Sequence, residues 1–287
     1  MDLPLTLTSI TPLLHHIAAC QTATLPGDRL EWRIGAVPVG FLKPDFAEAF
    51  CGYFGSDARR SAGCISLAAT ASGRLNAAAA ALAPQFGFAI RGEDFDVRAP
   101  DSAHSLAVLD RGAVPIFGVI GAGVHLNGVV RRADGLHLWI ATRSASKKLD
   151  PGKFDNLVGG GVSAGLTPTA TLAKEADEEA AIPATLIEKA TLTAQIDYAM
   201  ERPEGLRRDR LYCFDLMLPE HFTPRAADGE VESFALWPAK RILEVMLAGD
   251  DFKFNVNLVL IDWLIRAQFF APDAASRLRS ALAGSTG

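Results

Sequence analysis

The sequence predicts an α/β protein, a mixed sheet clasped between helices, preceded by a smaller α+β domain. Three observations predict it. From Val124 the chain becomes β-rich, with His125–Arg132 and Leu136–Thr142 joined by Ala133-Asp134-Gly135, a hairpin signal. A glycine-rich apolar stretch then runs into a short helix bearing Glu175, Glu178 and Glu179. Before residue 118, short strand and helix patterns alternate with no acidic, Cys/His or glycine-rich phosphate motif. A chain of 287 residues, 49% hydrophobic, can bury a substantial core and suits two domains, placed at 1–118 and 119–287 with the boundary near Gly118–Gly123.

In the first part, Thr11–Ala19 reads as a helix, with Thr11 as its cap and Pro12 in the first turn. Leu30–Phe41 alternates and breaks at Gly35 and again at Pro38–Gly40, predicting two short strands and a turn. Pro44–Phe54 is a helix whose Phe46, Phe50 and Phe54 recur every four residues, a stripe that belongs in a core. Ser72–Leu82 predicts another helix, Ala89–Val97 a strand and turn, and Asp101–Gly112 a helix. His15 and His16 show no partners and read as structural or surface residues.

In the second part, Asp155–Gly161 predicts a strand leading to the acidic helix. Thr191–Met200 and Arg210–Leu218 pair as a long hairpin across Pro203–Gly205. Glu232–Trp237 is a further strand, followed by helices at Pro238–Leu247 and Asn255–Phe270, the second closing the domain.

Composition narrows the partners. A formal net charge of −5 disfavours nucleic acid as the principal partner. No apolar run reaches the ~20 residues of a membrane span, and the N-terminal residues lack the positive charge of a signal peptide. Cys20, Cys51, Cys64 and Cys213 have no C-x-x-C or metal-ligand spacing, so reduced thiols in the cytoplasm are expected. The reading allows a homodimer.

The chain is organised around Phe154–Ile182, FDNLVGGGVSAGLTPTATLAKEADEEAAI. Thr167 and Pro168 mark a helix entrance. Beyond it, the i,i+3 and i,i+4 spacings put Glu175, Glu178 and Glu179 on one face, while Leu172, Ala176 and Ala180 mark another that can pack on a sheet. Like charges so spaced repel unless solvated or joined by a cation, and hard ions such as Mg²⁺ or Mn²⁺ suit clustered carboxylates. Gly159, Gly160 and Gly161 permit a sharp bend or a close approach of backbone to a ligand.

This stretch resembles the Nudix box, G-x5-E-x7-R-E-U-x-E-E-x-G-U, where U is a bulky aliphatic residue. Gly160 aligns with the leading glycine, and Lys174–Ile182 with the second half, without a gap. Leu166 stands where the family has Glu, Lys174 replaces Arg, and Ala181 replaces Gly. The missing Glu and Arg buttress the loop and helix in the family. The flanks RSASKKLDPGKFDNLVGGGVSAG, PEGLRRDRLYCFDLMLP and DGEVESFALWP, with WRIGAVPVGFLKPDFAEAF upstream, resemble the Nudix subgroup related to the Nudix part of fungal thiamine pyrophosphokinase.

The resemblance implies the Nudix α/β/α sandwich and a metal-dependent pyrophosphohydrolase acting on a small-molecule diphosphate. It makes Glu175, Glu178 and Glu179 the ligands of Mg²⁺ or Mn²⁺, with catalytic roles for Glu178 and Glu179. For a general base the choice lies between Glu230 and Glu232, with Glu230 preferred. Arg143 and Lys147, with Lys148 beside them, are candidates to meet phosphate oxygens, as is a second cluster at Arg207, Arg208 and Arg210. Asn156, Gly160 and Gly161 complete the expected substrate contacts, although Asp155 and Asn156 suit hydrogen bonds to the loop itself even better. Thiamine diphosphate or an oxidised or damaged analogue, cleaved to the monophosphate, is the favoured substrate. A nucleoside-diphosphate derivative such as ADP-ribose and a non-catalytic ligand-sensing module stay open as alternatives.

Overall fold

A computed structural model describes residues 5–227 and 229–284. The chain begins with helix α1 (Thr11–Ala19), with Pro12 in its first turn. Its N-cap is Ile10 rather than the expected Thr11, and no side chain caps it. The hairpin β1 (Leu30–Ile34) and β2 (Val37–Leu42) follows, with Pro38–Gly40 inside the second strand, where a register shift at Trp32/Arg33 absorbs them. Then come α2 (Pro44–Phe54), β3 (Ala58–Ser61), β4 (Cys64–Leu67) and α3 (Leu75–Phe86). The order β2-β1-β4-β3 forms one sheet, with β1 and β4 parallel. The phenylalanine stripe of α2 is core: Phe46, Phe50 and Phe54 are buried and stack edge-on or tilted with Trp32, Phe86 and Phe117.

The segment expected to be a helix at Asp101–Gly112 is instead strand β6 (Ser105–Asp110), paired antiparallel with β5 (Asp94–Arg98). Tertiary pairing overrides the helix propensity of its Leu and Ala residues. Asp110 locks the hairpin, its buried carboxylate accepting the N–H groups of Arg91, Gly92 and Gly112 at 2.7–3.0 Å. A short α4 (Val114–Phe117) then leads to the second part.

There, β7 (Ile120–Arg132) and β8 (Gly135–Arg143) pair only over Gly128–Arg132 and Gly135–Trp139. Beyond that they part, and β9 (Phe154–Asp155) pairs with β8 while β10 (Val158–Gly161) pairs with β7. The single strand expected at Asp155–Gly161 is thus two, divided at Asn156, whose N–H is taken by the Asp155 side chain at 2.9 Å. Helices α5 (Pro168–Ala180) and α6 (Ala184–Ile187) follow, then the long hairpin β11 (Thr191–Arg202) and β12 (Gly205–Met217). Strand β13 (Val231–Pro238) and helices α7 (Ala239–Ala248), α8 (Val256–Arg266) and α9 (Pro272–Ala283) complete the chain. The closing helix expected at Asn255–Phe270 ends early, at Arg266, with Gln268 just beyond it in the left-handed region (φ 64°), and α9 is an element the sequence reading did not separate.

The larger sheet has the order β11-β12-β7-β8-β13, with β7 and β12 parallel and the other neighbours antiparallel. Alternation sorts its side chains: Leu138 and Ile140 face the core with α1, α7, α8 and α9, while Trp139 faces that with α5 and α6. This is an α/β/α sandwich with a mixed sheet, preceded by an α+β region. Helix α1 departs from the division at residue 118, because Ile10, Leu13 and Ile17 are buried in the core of α7–α9. Among the described residues no helix is long and apolar enough to cross a membrane, and all four cysteines are free.

Candidate active site

The acidic helix enters as its sequence requires. Thr167 caps α5 by accepting the Ala170 N–H at 3.1 Å, and Pro168 occupies the first turn. Leu172, Ala176 and Ala180 are buried against the sheet. That docking presents Glu175 and Glu179 to β10. Glu179 is 5% exposed and accepts the Gly159 N–H at 3.0 Å. Glu175 lies against Gly160 so closely that a Cβ there would stand 2.5 Å from its Cδ. Glu178 points outward to Lys174, whose ammonium is 2.6 Å from it and 3.3 Å from Glu175. Lys174, where the box has Arg, is therefore a cation joining two of the three carboxylates.

Burial, helped by the charges of Asp155 and Glu175 and opposed by the Gly159 N–H and Lys147, pushes the Glu179 carboxyl up to about 8. A carboxylate so placed demands cationic compensation. The three glutamates fit a hard divalent ion in donor type and in sharing one helical face. Among the described residues, however, no three Asp, Glu, His or Cys side chains form a group that could hold a metal ion, and Glu178 is paired with Lys174.

Two loops meet the helix at a narrow cleft lined by Glu179, Gly159, Arg143, Lys147 and Glu230. Lys147, in the loop after β8, forms an ion pair with Glu230, just before β13. Burial depresses the Lys147 ammonium, partly offset by Glu179. Glu232 is exposed on β13 and outside the cleft lining, as is the exposed Lys148.

Other expected contacts are turned inward. The Arg143 guanidinium is buried and donates to the carbonyls of Leu149 and Asp150 and, at 2.6 Å, to Asp155, so it clasps the loop between β8 and β9. Asn156 is 2% exposed; its amide donates to Asn127 at 2.8 Å and its oxygen meets His125 Nδ1 at 3.0 Å. Gly160 and Gly161 do serve close approach, but to the protein's own Glu175 and Phe95. The cluster at 207–210 is neither solvated nor in the cleft. Arg207 pairs with Asp209, Arg208 stacks over Phe41 and donates to the Gly118 carbonyl, and Arg210 joins Asp197 and the Pro100 carbonyl. Arg208 and Arg210 thereby fasten the N-terminal region to β12.

Sequence reasoning missed Lys253 and His125. Lys253 Nζ stands 3.6 Å from Asp155 and, like Lys147, is depressed by burial. Burial tends to raise the Asp155 carboxyl, but Lys253, His125 and Arg143 hold it below its ordinary value. His125, on β7 opposite Gly159, is driven down to about 4 by burial and by Lys253. A β-rich run gave no sign of His125, and Lys253 reaches the site only because residues 251–253 hydrogen-bond to Phe154.

A mixed sheet between helix layers here sets a glycine strand and its loop against a carboxylate-bearing helix at a cleft, in an α/β/α architecture. Residues 124–257 match the family described as NUDIX domain. Two Arabidopsis thaliana proteins are similar to it: Nudix hydrolase 20, chloroplastic, is 40% identical over 189 residues, and Nudix hydrolase 24, chloroplastic, 37% identical over 189. These matches cover 66% of this chain and 50% and 52% of those proteins. An uncharacterised Saccharomyces cerevisiae protein is 31% identical over 180 residues, covering 58% of this chain and 52% of its own. The chain thus spans about half the length of these relatives.

Proposed function

We propose that the protein is a metal-dependent pyrophosphohydrolase, acting on a small-molecule diphosphate. The observation that carries this is the meeting, at one cleft, of the buried Glu179 beside the glycine strand with the Lys147–Glu230 pair from two other loops. The Nudix domain and the hydrolase relatives support the same reading.

Glu175, Glu178 and Glu179 would hold Mg²⁺ or Mn²⁺. Such an ion supplies charge neutralisation for the phosphates and lowers the pKa of water. The rest falls to side chains of the chain. Lys147 offers its ammonium to phosphate oxygens, leaving its ion pair with Glu230. Glu230 then accepts the proton of the water that adds to phosphorus as the P–O bond of the anhydride breaks and the other phosphate departs with the bonding pair. Arg143 and Asn156 act by positioning the walls, Arg143 through Asp155 and Asn156 through His125 and Asn127.

Thiamine diphosphate or an oxidised analogue, cleaved to the monophosphate, is the substrate reading we favour, on the sequence resemblance. A panel measuring phosphate and monophosphate release with Mg²⁺ tests both levels. The expected result is oxythiamine diphosphate hydrolysed with kcat/KM well above that for ADP-ribose. A reversed preference overturns the substrate, and no release from any diphosphate overturns the enzyme in favour of a sensing module.

A further inference from the structure

The loop from β10 to α5 lacks the box's own Glu, since Leu166 stands in its place, yet it is held at successive residues by a strand outside the matched Nudix segment. Ala164 N–H donates to the Asp94 carbonyl at 2.7 Å, and Gly165 N–H to Asp96 Oδ2 at 2.9 Å. Ser163 Oγ donates to Glu93 Oε1 at 3.1 Å, while the other oxygen of Glu93 receives Arg111 at 2.8 Å. Between these anchors Phe95, 7% exposed, lies beneath Gly161, where a Cβ would stand 2.6 Å from its Cζ.

The holding strand is itself fixed. Asp94 receives Asn76 of α3 at 2.8 Å, Asn76 receives the Asp110 N–H, and Asp110 ties the two strands together at the open end of the hairpin. We propose that strand β5 is the brace of the glycine loop, with Glu93, Phe95 and Asp96 as positioning residues that set where the carboxylates of α5 stand. The N-terminal region is then a working part of the site, although it contributes no group to the cleft. This rests on the metal reading only through its consequence for the ion; the brace itself is a statement about the loop.

The whole 287-residue chain tests it in two ways. Hydrogen exchange reads the brace directly. In Asp96→Ala, and in Glu93→Ala, whose side chain is part-exposed and so a mild change, amides 161–166 should exchange at least about tenfold faster, with α2 and α3 unchanged. Unaltered exchange in both variants overturns the brace, whether or not the protein binds metal. Mn²⁺ titration followed by the free-ion EPR signal reads the consequence. Gly161→Ala, pressing on Phe95, should weaken binding about tenfold, and Phe95→Leu should restore most of it in the double variant. Losses that simply add in the double variant overturn the positioning role, because two unrelated structural defects do not rescue each other. If the parent binds no Mn²⁺, the metal reading fails and the exchange result alone decides the brace.

Discussion

Helices α2 and α5 use one geometric rule for opposite ends. On α2 the four-residue spacing aligns Phe46, Phe50 and Phe54 into an aromatic core that holds the N-terminal region together. On α5 nearly the same spacing aligns Glu175 and Glu179 against a glycine strand, where packing a larger residue would displace them. The contrast extends to their surroundings. Between Leu30 and Val119, Asp110 is the buried ionisable side chain among the described residues, and it is satisfied by backbone N–H groups. Around α5, by contrast, His125, Arg143, Asp155 and Glu179 are all buried. One region draws stability from apolar area; the other uses stability to keep ionisable groups out of water.

The largest effect that separates them is on folding. Phe50→Ala removes a fully buried ring that meets Trp32, Phe54 and Phe117, and should cost about 3–5 kcal/mol in chemical denaturation. Any variant that remains folded should keep its metal affinity. A selective loss of Mn²⁺ binding with unchanged stability would erase the distinction between the two helices.

Acid should expose the second region first. His125 has a folded value depressed to about 4 from 6.5, so the unfolded chain binds the proton first. The stability it permits is present above about pH 6.5 and lost as pH falls through 4, by about 3 kcal/mol in all. Glu179 has the opposite sign: raised to about 8, it favours the metal-free fold at low pH and loses that contribution as pH rises through 8. Denaturation of His125→Asn and Glu179→Gln across pH 4–9 resolves the two. The histidine variant should lose less stability than the parent below pH 6.5, and the glutamate variant should lack the decline toward pH 8. Parallel curves for all three proteins would mean that burial is not what governs either group.

Much of this was legible in the sequence, for reasons the two helices make plain. Periodicity marks α2 and α5, Thr167 marks a cap, and Ala133-Asp134-Gly135 marks the turn of the hairpin, because each is a local cause acting locally. β6 was read as a helix because its identity as a strand comes from pairing with Phe95 and its neighbours, which composition does not encode. The carboxylates of the site were visible as spacing. Arg143 and Asn156 were visible only as polar residues near a loop, and their direction, inward to Asp155, His125 and Asn127, is set by tertiary contacts. Lys253 and β5 arrive at the site from remote positions in the chain, beyond the reach of any motif.

A smaller effect addresses the charge on α5. Glu178→Gln removes a carboxylate from the face and also its ion pair with Lys174, which is half exposed and so contributes little. The metal-free variant should melt no lower than the parent. The parent should gain about 2.7 kcal/mol at Mg²⁺ a hundredfold above Kd, and the variant should lose most of that gain together with turnover. Thermal melts across Mg²⁺ and Ca²⁺ titrations measure this, and equal saturating shifts in both proteins would remove Glu178 from the ligand set.

The smallest effect lies at the other end of α5, where Ala181 stands in place of the box's glycine. Its φ is 51°, in the left-handed region that a Cβ disfavours, and it is held there by its N–H donating to Asp177 and by Ile182 N–H donating to Ala176. Ile182 is buried with Leu172 and Ala176, so the chain cannot relax without withdrawing a core residue. Ala181→Gly should therefore raise stability by about 0.5–1 kcal/mol, the relief of strain exceeding the added entropy of the unfolded chain. Because the cap lies beyond the carboxylates and outside the cleft lining, Mn²⁺ affinity should not change. Stability and affinity rising together would show that the C-terminal turn of α5, and not only its braced entrance, sets the carboxylate positions. A fall in stability would mean that Ala181 bears no strain at its φ of 51°.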